Sequence, residues 1–314
     1  MSLSLCRRVA RLDLNWWIKH RFTDARGGKE TPHYKRGELR ETVASGSVRN
    51  AIKAALNMVI PAKIQPAAKT VYRKLRYFGF AHKCPFCGSH LREFLPFGEK
   101  HRVLSEKQVV GGGYRLNSVC PACGSLDRER LLYLYLLHKS DIFTRPCKLL
   151  HVAPEEQVKK ILRRRSNIDY VTADLFSPIV MARMDITRIP LPDDSFDVII
   201  CCHVLEHILD DQKAMTELYR VLKPGGWAIL QVPISPVLEK TLEDYSITTP
   251  EGRAEAFGQQ DHVRLYARDY EVRLVRAGFR VEQFSWLAEA EKFGGRKNFF
   301  CLIMEEWLYV ARKL

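Results

Sequence analysis

From residue 148 onward the chain alternates short apolar runs with stretches of helical period. Residues 148–152, 168–173, 196–202, 227–232, 279–284 and 308–312 read as buried strands. A third strand is expected to end near Met184, and the second stops at Asp174. Residues 155–165, 212–222 and 267–277 carry apolar positions every three or four residues and predict helices, the last closed by Gly278. Residues 233–263 show no sustained period and are expected to form an insertion over the sheet. Strands alternating with helices imply a mostly parallel sheet covered on both faces.

The upstream half is patterned differently. Residues 126–138 (LDRERLLYLYLLH) predict a helix with Asp127 near its start and Lys139 after its end. Residues 48–60 and 67–78 predict helices separated by Pro61 and Pro66, and Leu12, Trp16, Trp17 and Lys19 suggest a short amphipathic helix. A polar, Gly-containing stretch covers residues 23–47. These changes divide the chain into a basic leader (1–80), a cysteine-containing module (81–128), a connecting helix and linker (129–147) and the alternating domain (148–314).

Charge sharpens that division. Residues 1–83 hold 18 Lys/Arg against 5 Asp/Glu, a net +13, whereas residues 84–147 net +3 and residues 148–314 net −2. The leader is therefore the part expected to attract an anionic membrane surface or RNA. No apolar run reaches the ~18–20 residues of a membrane-spanning helix. No signal-peptide pattern is evident, so a cytoplasmic protein, peripheral to the membrane through residues 1–80, is expected.

Four of the nine cysteines form two near-identical runs, Cys84-Pro-Phe-Cys87-Gly and Cys120-Pro-Ala-Cys123-Gly. Two pairs of thiolates close a tetrahedral site, which suits structural Zn²⁺ and leaves no open position. This half resembles zinc ribbons. His82, His90 and His101 are alternative ligands. Gly111-Gly112-Gly113, between the knuckles, reads as a flexible hairpin tip.

Residues 182–234 (ARMDITRIPLPDDSFDVIICCHVLEHILDDQKAMTELYRVLKPGGWAILQVPI) resemble the middle of class I S-adenosylmethionine-dependent methyltransferases, in particular the type 11-like group. The resemblance implies a Rossmann-like α/β fold with a mostly parallel seven-stranded sheet. It also implies S-adenosylmethionine as cofactor, bound at the carboxyl ends of the strands. By position it carries the ribose hydroxyls to Asp174, with Leu175 beside it, and the adenine to Asp185 and Ile186. Cys202 and His203 fall near the methionine part. The first loop departs from the family pattern: it reads His151-Val152-Ala153-Pro154-Glu155, with no glycine. His151 takes the usual acidic place, and Ala153, Pro154 and Glu155 take the loop. HVAPE-type loops resemble a subgroup linked with sugar or cell-surface glycan modification.

Methyl transfer to a hydroxyl needs alignment and a proton acceptor. His203, Glu206 and His207 share helical spacing after the fourth strand, and FGQQDHVRLY adds Asp261 and His262. His207, His262 and Glu206 are the catalytic candidates. The favoured reading is O-methylation of a saccharide or lipid-linked glycan. One alternative is an rRNA or tRNA methyltransferase that binds RNA through the cysteine module and leader. Another is a non-catalytic binding protein on the same fold.

Overall fold

The computed structural model describes residues 65–295 and 297–314. The expected leader elements at residues 12–19, 23–47 and 48–60 lie outside the described residues. The chain divides into two compact units, residues 1–76 and 77–314. The described part of the first is helix α1 (Gln65–Arg76), whose last turn carries Arg73, Lys74 and Arg76.

The second unit begins with two small hairpins. Strand β1 (His82–Lys83) pairs with β2 (His90–Leu91), and β3 (Leu95–Phe97) pairs with β4 (Arg115–Val119), both antiparallel. Helix α2 (Arg102–Glu106) lies between β3 and β4, and α3 (Asp127–Lys139) follows them. Each cysteine knuckle is the same turn. Gly88 N–H donates to Cys84 O and Gly124 N–H to Cys120 O, with φ of 69° and 80° at the two glycines. Only glycine takes that backbone without cost.

The remaining elements build one seven-stranded sheet. In chain order they are β5 (Cys147–Val152), α4 (Glu156–Leu162), β6 (Ile168–Asp174), β7 (Ala182–Arg183), β8 (Phe196–Cys202), α5 (Asp211–Val221) and β9 (Leu222–Gln231). After a small pair, β10 (Leu242–Glu243) with β11 (Arg264–Leu265), come α7 (Tyr270–Arg276), β12 (Arg280–Ser285) and β13 (Trp307–Arg312). Helix α6 (Pro250–Phe257) lies between β10 and β11. The strand order is β12-β13-β9-β8-β5-β6-β7, parallel except for β13, which runs antiparallel to both neighbours. This is the Rossmann-like methyltransferase topology that the resemblance implied.

Alternation along the strands sorts the core into two faces. Leu150, Val152, Ile199 and Cys201 meet Ala214, Met215 and Leu218 of α5 and Tyr270 and Leu274 of α7. Leu149, Val198, Ile200 and Cys202 meet Leu131, Leu132 and Tyr135 of α3 and Val158 and Leu162 of α4. The crossover helices α4 and α5 therefore leave adjacent strands β5 and β8 toward opposite faces. That is the condition for a ligand crevice at the carboxyl ends of these two strands.

Three expectations are corrected. Residues 233–263 do contain regular structure, helix α6, capped by Thr249 and closed by Gly258 at φ 87°. The helix expected over 155–165 ends at Leu162. Lys223-Pro-Gly-Gly, expected as a turn before the fifth strand, lies within β9 as an outward loop. Phe196 pairs with Leu222, and Val198 with Trp227. A Cβ on Gly226 would stand 2.8 Å from Lys223 O, so the loop admits only glycine there.

Residues 81–128 pack directly against the sheet domain. Arg130, fully buried, donates to Asn117 O, Ser118 O and Ser125 O on one side and to Phe300 O and Cys301 O on the other. Lys83 N–H donates to Phe299 O, and Gln157 Nε2 donates to Cys123 O.

Candidate active site at the carboxyl ends of the strands

The first loop leaves β5 at Val152, which pairs with Ala173 of β6 and Cys201 of β8. The next residue, Ala153, has φ 45°. This left-handed backbone is the conformation a glycine normally supplies, so the loop has the shape of a glycine turn without the glycine. Across the crevice, His203 is the first residue after β8 and has φ 56°. Two non-glycine residues in a costly conformation thus flank the point where strand order reverses.

His151 is corrected as a direct contact. It is fully buried, its Nδ1 lies 2.8 Å from Tyr170 OH and its Nε2 lies 2.8 Å from Glu155 Oε2. Burial opposes the charge on Glu155, but the bond to His151 outweighs it and holds the carboxyl below the usual range. An ionised Glu155 accepts from Nε2–H, so Tyr170 O–H donates to Nδ1. Both ring nitrogens are spent, and His151 positions Glu155 beneath the loop. Pro154 is half-buried and leads into α4, for which Glu155 is the N-cap residue.

Asp174 ends β6, as expected. Its Oδ1 accepts from Phe176 N–H and Ser177 N–H, both at 2.7 Å, so this oxygen shapes the following turn. Half-buried Leu175 lies in that turn, and its carbonyl accepts from Arg183 Nε at 2.9 Å. Asp185 is exposed and its Oδ1 accepts from Thr187 N–H and Oγ1–H, both at 2.8 Å, while Ile186 beside it is buried. Both carboxylates keep Oδ2 outside these turn bonds.

Around His203 and Glu206 the structure gathers three groups that sequence reasoning did not single out, Gln231, Glu306 and Arg128. His203 Nε2, Gln231 Oε1, Glu306 Oε2, Glu206 Oε2 and Arg128 Nε are all buried without a hydrogen-bond partner. Gln231 Nε2 donates weakly, at 3.4 Å, to Glu306 Oε1. A Cβ on Gly111 would stand 3.3 Å from Glu306 Oε1 and 3.5 Å from His203 Cε1. The glycine triplet is therefore no free hairpin tip: Gly111 is buried against this cluster, held by the bridge between Val110 and Ile234. Burial pushes the Glu306 carboxyl up to about 7, and the charge on Asp127 adds to this. Burial, then the charge on Arg128, lowers the His203 imidazole. Buried unpartnered polar atoms are rare in folded proteins, and several together mark a place where a polar ligand belongs. Cys202 lines this region with a buried thiol, raised well above its usual range chiefly by burial.

Glu206, His207 and His262 converge, each offering one donor atom within 4.8 Å of the others. Burial opposes the charge on Glu206, but His203 outweighs it and holds the carboxyl at about 2. Burial lowers His262 to about 4. Burial lowers His207, but the bond it donates to Asp261 outweighs burial and shifts the imidazole upward. Arg264, fully buried, fixes the segment: it donates to the carbonyls of Leu205, Ile208 and Leu209.

The four predicted metal cysteines also converge. Cys84, Cys87, Cys120 and Cys123 each place Sγ within 4.8 Å of the other three. His82 is turned away from them, with Nδ1 3.2 Å from Cys301 Sγ. His90 and His101 are not part of the cluster. A separate cavity of about 540 Å³, lined by Tyr135, Cys147, Asp197 and Gly226 among others, lies at the amino ends of the strands. That is the end of an open α/β sheet where ligands are not expected. Among the described residues no helix is long and apolar enough to cross a membrane.

Residues 138–230 match the family model described as methyltransferase domain. A probable S-adenosylmethionine-dependent methyltransferase of Mycolicibacterium smegmatis is 26% identical over 164 residues, 49% of this chain and 59% of the relative. The ubiquinone/menaquinone biosynthesis C-methyltransferase UbiE of Pseudoalteromonas translucida is 35% identical over 83 residues, 26% of this chain and 29% of the relative. The chain thus spans less than two thirds of the length of either. A Burkholderia thailandensis 1,6-didemethyltoxoflavin-N1-methyltransferase structure with bound S-adenosylhomocysteine covers 60% of this chain and 77% of its own, at 12% identity and a TM-score of 0.38. The family match over residues 138–230 and the two curated relatives support a class I methyltransferase domain there.

Proposed function

We propose that this chain transfers a methyl group from S-adenosylmethionine to a hydroxyl of a saccharide acceptor. The observation that carries the cofactor is the left-handed backbone of Ala153 at the strand-order reversal, level with Asp174 on the neighbouring strand. The residues present fit the group. Ala153 allows close approach of the loop, Asp174 Oδ2 suits a ribose hydroxyl, and Asp185 with Ile186 suits the adenine amine and ring. Arg128 Nε is a buried donor in need of an acceptor, and His203 Nε2 is a buried ring nitrogen without a partner. Glu155 and Cys202 complete the walls. When bound, the cofactor supplies an electrophilic methyl on a sulfonium.

The chain supplies alignment and a proton acceptor. Glu306, held at about 7, is poised to take the proton of an acceptor hydroxyl as its oxygen gains the methyl and the sulfonium–carbon bond breaks. His203 and Gln231, beside it, orient the hydroxyl. The acceptor side is polar, with Glu206, His207, Asp261, His262, Gln231 and Glu306, which favours a polyhydroxylated acceptor over an apolar ring. Residues 84–314 net only +1, so the excess of basic charge that RNA binding would draw on lies in the leader and not in this part of the sequence.

We further propose that the four cysteines hold structural Zn²⁺ and that residues 1–80 meet an anionic membrane surface. Titration with S-adenosylmethionine tests the cofactor. No binding at millimolar concentration would leave a non-catalytic binding protein. Mass spectrometry of glycan and RNA fractions from cells with and without the protein tests the acceptor. New methyl groups on RNA alone would overturn the saccharide reading.

A further inference from the structure

We propose that Glu206, His207 and His262 form a binding site for a divalent transition-metal cation on the acceptor side of His203. The three donors lie within 4.8 Å of one another, close enough for modest side-chain rotation to bring them onto one ion. Glu206 is only 2% exposed, and its Oε2 has no partner, while Oε1 lies 3.5 Å from His203 Nδ1. A carboxylate oxygen buried in that state is costly, and a cation relieves the cost. His262 is 4% exposed, and its ring makes no hydrogen bond among the described residues.

The surroundings have the form that metal-binding histidines need. Asp261 Oδ2 lies 3.2 Å from His207 Nδ1. That bond keeps the proton on Nδ1 and leaves the Nε2 lone pair free for an ion, the carboxylate–histidine arrangement that fixes a ligand's tautomer. Val263 N–H donates to Glu206 O at 2.9 Å, and Arg264 ties the same strand to Leu205, Ile208 and Leu209. The backbone carrying His262 is thus stitched to the backbone carrying the other two donors.

Two imidazoles and a carboxylate select Zn²⁺, Mn²⁺, Fe²⁺ or Co²⁺ over Mg²⁺ and Ca²⁺. Three protein ligands leave positions open. The His207 side chain is 31% exposed, so the cluster is reachable from solvent. Cation binding stands on this geometry alone. Its role, which rests on the methyl-transfer reading, is to polarise the acceptor oxygen as a Lewis acid and ease loss of its proton to Glu306.

Mn²⁺ is the probe, because thiolates disfavour it and the cysteine cluster can be kept filled with Zn²⁺. The full chain is titrated with Mn²⁺ and the free ion is read by electron paramagnetic resonance. One bound Mn²⁺ per chain is expected, displaced by Zn²⁺ and weakened at least about tenfold in Glu206→Gln and in His262→Gln. His207→Ala, at a partly exposed position, carries the test should the buried variants fail to fold. No Mn²⁺ uptake, or uptake equal in wild type and folded variants, overturns the proposal. A parallel S-adenosylmethionine titration separates the two readings. Cofactor binding without the cation sinks this inference alone, whereas the cation without cofactor sinks methyl transfer alone.

Discussion

Ala153 and His203 are each the first residue beyond one of two adjacent parallel strands, and each adopts left-handed backbone, with φ of 45° and 56°. A non-glycine residue there costs about 1–2 kcal/mol. The pair flanks the crevice where a cofactor would lie, so the strain sits at the candidate site.

Substitution at Ala153 separates shape from side chain. Ala153→Gly relieves the left-handed backbone but loosens the unfolded chain, and the two effects offset to within about 1 kcal/mol. Melting temperature and S-adenosylmethionine affinity should stay near wild type. Ala153→Val adds branching to an unfavourable φ and is expected to cost about 2 kcal/mol, with loss of cofactor binding by calorimetry. A Val variant that binds as wild type would show that the loop does not approach the ligand.

At Asp174 the two oxygens have different duties. Oδ1 holds the Phe176–Ser177 turn, and Oδ2 is left for a ligand. Asp174→Asn keeps an oxygen for the turn but removes the charge, whereas Asp174→Ala removes both. The Asn variant should bind S-adenosylmethionine roughly tenfold or more weakly with an unchanged melt, since a hydrogen bond to a charged group contributes about 1.5–3 kcal/mol. The Ala variant should abolish binding and also lose about 1 kcal/mol of stability. Unchanged affinity in both would place the ribose elsewhere.

How much of this was legible in sequence depends on where the information sits. Strand β8 was read with its bounds intact, because seven apolar-rich residues between polar turns have one interpretation. Helix α6 was missed because only Ala254 and Phe257 are buried, too few to show a period. Its punctuation was visible in Thr249, Pro250 and Gly258. Glu306 could not be found from sequence. It reaches the site because β13 runs antiparallel to β9, so the residue just before β13 stands at the carboxyl end of the parallel strands. Arg128 hid in a D-R-E-R run that reads as an ordinary helix start, and Gly111 in a triplet that reads as a loop.

Glu306 makes stability and activity depend on pH in opposite senses. Its carboxyl is raised from 4.5 to about 7 by burial. The folded chain therefore binds this proton more tightly than the unfolded one. The stabilisation is full below pH 4.5 and is lost as pH rises through about 7, on the order of 3 kcal/mol. Glu306→Gln, locked neutral, should match wild type near pH 4.5 and be more stable above pH 8 in urea titrations. Methyl transfer by wild type should rise with pH through about 7, and the Gln variant should lose that rise. A variant with the wild-type pH profile would remove Glu306 from proton transfer.

Loss of one knuckle thiol should be felt far from the knuckle. Cys120→Ser is expected to release zinc, read by elemental mass spectrometry, and to destabilise residues 81–128. Arg130 joins Ser118 and Ser125 of that segment to Phe300 and Cys301. Residues 126–130 also bring Arg128 to the crevice. S-adenosylmethionine affinity should therefore fall together with metal content. Full zinc content in Cys120→Ser would refute the four-cysteine site.

Arg264 tests whether the acceptor side depends on a fixed scaffold. Its guanidinium is fully buried and meets three backbone carbonyls, the Glu243 carboxylate and Tyr245 OH at once. Lysine keeps the charge but offers a single ammonium where the fork reaches several acceptors. Arg264→Lys should lose about 2–3 kcal/mol, because buried carbonyls are left without donors. With the 205–209 turn released, His262 should drift from Glu206 and His207. Transfer to the acceptor should then fall more than S-adenosylmethionine affinity does, because Arg264 ties the turn that carries Glu206 and His207 to the segment that carries His262. Equal losses in both would mean that Arg264 supports the whole carboxyl end of the sheet and not the acceptor side in particular.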